Sequence, residues 1–363
     1  MRAANIRISA LLGCAALVLA ITALPAEATF PGKNGKIALT SSRDRVNEID
    51  TINPDGTGRA LLRGDAAGPV WSADGNRLLF IWNDPSPPAG FPFLPHNALR
   101  TIGADGTGEQ VVFDPTNSVG HTWSPDRRRV AYTAATQCDR FVCFDDRIFT
   151  ANIDGTGSVR LPNSPGALDV DWSPDGSKLA FGGSDVGTIN ADGTGLVRLT
   201  GGPDDADPSW SPDGTKIVFS SKRDGNWEIY RMNAHGTGLT RLTNNPETDE
   251  NPVWSPDGTR IAFDRVSCPA SGCCPDAACT TGDIYTINAD GTAETNVTND
   301  PGPPQGPVDT GPDWQPLLGP QRGDYKNAAK FCKAERDFLG DEAFAGKYGG
   351  GANAHGKCVS QSH

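Results

Sequence analysis

Six tryptophans frame this chain: Trp71, Trp123, Trp172, Trp210, Trp254 and Trp314. Five of them open a motif of one form, as in Trp210-Ser211-Pro212-Asp213-Gly214, with Ala73 and Arg127 as the departures in two copies. The stretch Asp207 to Thr243 holds one full copy of the unit. After the motif come an apolar run, a polar loop and a second apolar run ending in Asn. A Gly-Thr-Gly turn and Arg-Leu-Thr complete it. Pro presets φ, Asp caps the turn locally and Gly takes a positive φ, so each motif reads as a tight turn between strands. Ile217-Val218-Phe219 is apolar on both faces, which suits a strand covered on both sides. Four such strands make a small sheet that cannot bury both faces alone. Repetition at a period of a few tens of residues solves this by packing sheets face to face, as in a β-propeller.

The ends of the repeat region complement each other. The first copy runs from Gly35 through Leu62 without a Trp strand. The last is an orphan, Pro312-Asp313-Trp314-Gln315-Pro316, with no strands after it. Pairing the two in one sheet predicts an all-β, six-bladed propeller of four-stranded antiparallel blades, closed by the Trp314 strand in the first blade.

Residues 1–28 read as an export signal. Arg2 and Arg7 precede an apolar run from Ile8 to Leu24, and Ala26-Glu27-Ala28 offers a cleavage site. A lipoprotein anchor at Cys14 and a retained membrane anchor are the alternatives. Export places the protein outside the cell, in the periplasm or at the wall. The remaining division is a propeller over 29–318 and a short helical tail over 319–363. In the tail, a helix is expected from Tyr325 to about Phe338, capped by Asp324, with Tyr325, Ala328, Ala329, Cys332 and Leu339 near one face. A second short helix is expected over 341–348.

Nine cysteines are present, and removing Cys14 leaves an even number. They form local groups: Cys138 with Cys143; Cys268, Cys273, Cys274 and Cys279; Cys332 with Cys358. In an exported chain these read as disulfides, with zinc at the four-cysteine cluster as the alternative. The tail, too short for its own core, is expected to be stapled by Cys332–Cys358. It is similar to short Cys-paired tails of exported bacterial proteins.

The formal charge is −12. Cleavage after residue 28 removes Arg2, Arg7 and Glu27 and leaves −13. That disfavours nucleic acid and anionic membranes as partners and favours cations, basic peptides or neutral sugars. No membrane insertion is expected after cleavage, and a monomer is expected.

The combined pattern of Trp-Ser-Pro-Asp-Gly, Ile-Tyr, Asn-x-Asp-Gly-Thr-Gly and Arg-Leu-Thr resembles the WD40-like repeat of the TolB propeller family over about 34–316. His235 and Ala293 are further departures, both in turns. The resemblance implies a six-bladed propeller, exported and used as a protein-interaction platform.

No Gly-x-Ser-x-Gly elbow and no His-Glu-x-x-His occurs, so no catalytic residue is assigned. The candidate site is acidic. The segments entering the Trp strands should rim a central channel. Asp65, Asp169, Asp205, Asp207, Asp249, Glu250 and Asp309 would converge there, with His121 two residues before Trp123. Converging carboxylates attract calcium or a basic peptide; local turn capping by Asp is the alternative. No other cofactor is expected. Arg43-Asp44 and Arg223-Asp224 are expected to form local ion-paired turns. The leading function is a non-enzymatic binding scaffold for a protein or glycan partner, using the channel mouth and the inserted loops at 84–95, 138–143 and 268–279. The alternative is a hydrolase or lyase acting on a saccharide in the channel, which needs opposed carboxylates or a clustered His/Asp metal site.

Overall fold

The computed structural model describes residues 32–43, 46–84, 96–113, 118–138, 143–202, 204–267, 281–300, 307–319, 327–339, 344–345, 347–348 and 354–361. The export signal, the four cysteines from Cys268 to Cys279 and Asp324 lie outside these residues, as does the 84–95 loop apart from Asp84. Cys138 and Cys143 oppose each other in strand register; their side chains also lie outside the described set.

The described chain is all-β apart from its C-terminal helices. Four separate four-stranded antiparallel sheets form in chain order. Each begins with a strand ending at Trp: Ala66–Trp71, Ser118–Trp123, Asp169–Trp172 and Asp205–Trp210. A larger sheet contains two further units. One starts with Thr248–Trp254. The other pairs Val308–Leu318 with Gly32–Arg43, so that Trp314 lies opposite Ile37, and continues through Val46–Ile52 and Ala60–Gly64. The two units touch through one parallel pair, Gly282 with Val308.

The doubly apolar strands explain the packing. In the Trp210 sheet, Ile217 and Phe219 cluster with Ala180 and Val186 of the preceding sheet. Val218, between them, faces the other way and joins Trp254, Ile261 and Phe263 of the next sheet. All three residues are fully buried. The alternation thus covers both faces at once. Corresponding clusters join the other successive sheets, and one of them packs Ala38 and Ile49 against Trp71, Leu78 and Phe80. Each fully buried side chain of this size contributes about 1.5–3 kcal/mol of transfer free energy.

The turns follow the sequence chemistry. Ser211 Oγ donates to Asp213 Oδ1, and Asp213 Oδ1 accepts from Thr215 N. Gly214 closes the turn at φ +68°. Gly75 has a second constraint: a Cβ there would lie 2.1 Å from the Pro316 carbonyl oxygen. Gln315 Nε2 also donates to the Gly75 carbonyl. His235, which replaces a turn Asp, shares a hydrogen bond with Thr237 through Nε2 and fills the missing role.

In the tail the helix is Ala328–Leu339, and Asn327 caps it, its Oδ1 accepting from Lys330 N. Its buried face holds Ala328, Phe331, Cys332 and Glu335; Ala329, expected inside, is exposed. A further helix covers Ala354–Gln361, and Cys332 and Cys358 form a disulfide. Lys33 lies over the Phe338 ring, which fixes the tail beside the chain's first strand.

Candidate functional site

The six Trp-ending strands share a register that puts equivalent residues at one opening. Counted back from Trp, the third residue is Gly68, Gly120, Asp169, Asp207, Asn251 or Gly311, and all six line one cavity of about 230 Å³. The residue directly before Trp also lines it: Val70, Thr122, Asp171, Ser209, Val253 or Asp313. These same six line a deeper cavity of about 70 Å³ together with the tryptophans. Mouth and throat are therefore continuous. The Ser-Pro turns lie at the throat end, and so do both ends of the sheet region, because Gly32 pairs with Leu318 and Gly75 meets Pro316. The mouth opens on the other face.

A β-bulge shapes the mouth. Register shifts occur before Trp in five of the six strands. Gly68, Asp207, Asn251 and Gly311 sit there at φ between +51° and +61°. Asp and Asn tolerate this left-handed conformation better than other side chains. An extra residue at that point reverses the alternation of every residue before it.

That reversal redistributes the expected acidic rim. Asp205, Asp249 and Asp309, each five residues before Trp, turn into the sheets and are fully buried. Each meets an arginine. Arg223 Nη2 donates to both oxygens of Asp205 at 3.0 Å. Arg265 grips Asp249 through Nε at 2.6 Å and Nη2 at 2.9 Å. Arg59 reaches Asp309 through both terminal nitrogens at 2.7 Å and also holds Asp50 and Asp300. Burial pushes Asp309 up to about 6, against the pull of Arg59 and with Asp300 competing for the same guanidinium. Arg223 thus pairs with Asp205 rather than with its neighbour Asp224, which accepts from Tyr230. Arg43 pairs with Glu48 and Asp50; Asp44 lies outside the described residues.

Asp65 is exposed, at φ +51°. His121 is buried and bonds the Gly68 carbonyl oxygen through Nε2 at 2.7 Å, tying two sheets together.

Of the expected rim, the structure places Asp169 and Asp207 at the same opening, with Glu250 acting on Asp169 through space. Burial, then the Asp207 charge, push Asp169 well above the carboxylate range. Burial, then Asp207, raise Glu250 to about 7, with Lys222 opposing. Asp207 Oδ2 accepts from Ser220 Oγ at 2.7 Å.

Three further buried carboxyl groups escape the sequence reading, and two of them, Asp171 and Asp313, line this channel. Asp171 Oδ2 accepts from Trp210 N at 2.9 Å. Asp313 Oδ2 accepts from Trp71 N at 2.6 Å, across 242 positions of sequence. Asp264 Oδ1 accepts from Gly311 N at 3.0 Å. Burial raises them to about 6, 8 and 8 respectively. The signal for the first two was available: in a strand ending at a buried Trp, the preceding residue faces the opposite side. Among the described residues, no group of three or more His, Cys, Asp or Glu is arranged to hold a metal ion.

Residues 95–269 match the family described as the TolB beta propeller domain. The chain carries a TolB-like β-propeller. Among solved structures it is similar to TolB from Acinetobacter baumannii at 20% identity and a TM-score of 0.61, over 81% of this chain and 69% of that one. It is also similar to a putative TolB from Agrobacterium tumefaciens, at 19% identity and 0.56, over 76% and 91%. A chain of a nidogen–laminin complex aligns at 11% identity and 0.56, over 77% and 98%. Such low identities establish the TolB-like fold alone. No curated protein sequence matches the chain. No helix among the described residues is long and apolar enough to cross a membrane.

Proposed function

We propose that this chain is an exported, non-enzymatic binding scaffold that engages a partner protein at the channel mouth. In this reading residues 1–28 are removed, 29–318 form a six-bladed ring, and 319–363 are a stapled tail. Ring closure is supported by the contacts that pass from each sheet to the next, including Asp313 to Trp71. The carrying observation is that residues of all six Trp-ending strands line one opening, on the face opposite the chain ends.

The saccharide-cleaving alternative draws on the same acidic pair. Glycosidases hold their two carboxyl groups about 5–5.5 Å or about 6.5–9.5 Å apart, with the scissile bond between. The scaffold reading is preferred because all six Trp-ending strands, rather than one carboxyl pair, build the opening. The test is a pull-down from the producing cells with mature protein and with Val253→Trp, which fills a position common to mouth and throat. A folded variant should lose the partner; capture at the wild-type level would sink the reading.

A further inference from the structure

On the face that carries the Ser-Pro turns, successive sheets meet along radial grooves, and arginine side chains occupy several of them. Between the Trp71 and Trp123 sheets, Arg77 Nη2 donates to Thr101 Oγ1 at 2.7 Å and to the Gly108 carbonyl oxygen at 2.9 Å, and Arg127 crosses to Asp74. Between the Trp123 and Trp172 sheets, the Arg129 guanidinium lies 5.0 Å from the Trp172 ring centroid. Between the Trp210 and Trp254 sheets, Arg231 reaches the Ala289 carbonyl oxygen. In the Trp254 sheet, Arg260 Nη2 repeats the Arg77 contacts, on Thr286 Oγ1 at 2.7 Å and the Ala293 carbonyl oxygen at 3.3 Å. The groove between the Trp172 and Trp210 sheets differs at both arginine positions. Lys178 stands six residues after its Trp, where Arg77, Arg129 and Arg260 stand, and Gly214 stands where Arg127 does.

Lys178 Nζ bonds Asn190 Oδ1 at 3.0 Å and stops short of Thr188, the counterpart of Thr101 and Thr286. Thr188 is 4% exposed and lines the groove, and its hydroxyl bonds nothing among the described residues. Trp210 also lines it, with no cation of the described residues stacked on its ring. The groove encloses about 470 Å³ between Trp210, Leu199, Pro174 and Pro212, with Asp175 and Asp213 exposed at its lip. Asp213 uses only Oδ1 in its own turn, which leaves Oδ2 unbonded among the described residues. Two carboxylates against one lysine favour a cation here. We propose that this groove binds an arginine side chain of an incoming polypeptide. Its guanidinium donates to Thr188 Oγ1 and stacks on Trp210, its stem lies along the apolar wall, and Asp175 and Asp213 supply the opposing charge. The incoming group thus takes the place that an internal arginine fills in the sister grooves. The site lies on the face opposite the mouth and goes beyond the scaffold reading.

Saturation-transfer NMR titration at low salt tests the proposal. The probes are three acetylated tripeptide amides, Gly-X-Gly, in which X is arginine, its uncharged isostere citrulline, or lysine. The arginine peptide should bind, and the citrulline peptide should bind about tenfold more weakly or worse. The lysine peptide should also bind more weakly, because an ammonium is a compact, strongly hydrated charge without the planar fork. Two variants, checked for folding by their melting temperatures, locate the site. Thr188→Val should weaken the arginine peptide about three- to tenfold. Lys178→Arg should fill the groove from within, as Arg77 and Arg260 do in theirs, and abolish binding without lowering the melting temperature. No binding by the arginine peptide, equal binding by the citrulline or lysine peptide, or wild-type binding in either folded variant overturns the proposal. None of these results bears on the partner captured at the mouth, which Val253→Trp tests separately.

Discussion

Asp309 and Asp313 lie four residues apart on one strand and have opposite surroundings. Asp309 is sealed inside its sheet against Arg59, which also gathers Asp50 and Asp300. Asp313 faces the throat, accepts one backbone N–H from the neighbouring sheet and bonds no cation among the described residues. Asp205 and Asp249 repeat the first environment, and Asp171 repeats the second. One residue type on one set of strands therefore serves two purposes. The buried Arg-paired set holds each sheet together. The channel set joins successive sheets and leaves an acidic lumen.

The largest expected effect lies in the paired set. Asp309→Ala strands Arg59 beside two remaining carboxylates in a mostly buried place. Removing one partner of a buried pair costs about 3–5 kcal/mol, and the surviving Asp50 and Asp300 contacts favour the lower end. Urea unfolding of Asp309→Ala and Asp313→Asn side by side checks the contrast. Asn can still accept the Trp71 N–H through its side-chain oxygen, so Asp313→Asn should stay within about 1 kcal/mol of wild type. Equal losses would erase the distinction between the two sets.

The next effect is on pH dependence and belongs to the buried carboxyl groups that bond no cation among the described residues. Burial pushes Asp264 and Asp313 up to about 8, Glu250 to about 7 and Asp171 to about 6. Their folded values exceed the unfolded ones, so the folded state holds more protons. Stability from these groups is complete below the unfolded carboxyl range and falls as pH rises through 6 to 8. At pH 7 unfolding should release about two protons from them. The turn aspartates Asp55, Asp105, Asp154, Asp192 and Asp290 act in the opposite sense. Hydrogen bonds from the following Thr lower each of them, so their contribution is lost in stronger acid. The melting temperature should therefore peak between about pH 4 and 6. A peak at pH 8 or above would contradict the raised values of these buried carboxyl groups. Asp313→Asn should flatten the alkaline limb, whereas a change at Asp309 should mainly lower the whole curve.

The comparison also shows what the sequence could and could not disclose. Strands, turns and the doubly apolar runs follow from local chemistry, as Ile217-Val218-Phe219 and Asp213-Gly214 show. The pairing of the chain ends was legible because Trp314 lacks a following unit and Gly35–Leu62 lacks a preceding one. The direction of each carboxylate was not. It depends on a bulge that adds one residue and reverses the alternation, marked only by a Gly, Asp or Asn before Pro at Gly68, Asp207, Asn251 and Gly311. The partner of Asp309 is 250 residues away at Arg59, where no local pattern reports it. Asp171 and Asp313 were within reach of a simple alternation argument from the Trp. In the tail, Asn327 caps the helix that begins at Ala328, while Asp324, the expected cap, lies outside the described residues.

The smallest expected effect tests whether pairing with arginine stabilises only when it is buried. Arg127 stands where the other motifs have Gly, at φ +60°, and bridges Asp74 of the preceding sheet. Its side chain is 52% exposed. An ion pair this open contributes little, because solvent screens it and two side chains must be ordered to form it. Holding a non-glycine residue at positive φ costs about 1 kcal/mol or slightly more. Arg127→Gly removes both at once, and the added freedom of Gly in the unfolded chain offsets part of the relief. The net expectation is a gain of about 0.5 kcal/mol in urea unfolding, opposite in sign to the loss at Asp309. Destabilisation by Arg127→Gly of more than about 1 kcal/mol would mean that the exposed Arg127–Asp74 bridge fastens its two sheets as firmly as a buried pair, and exposure would no longer separate the two kinds of arginine contact.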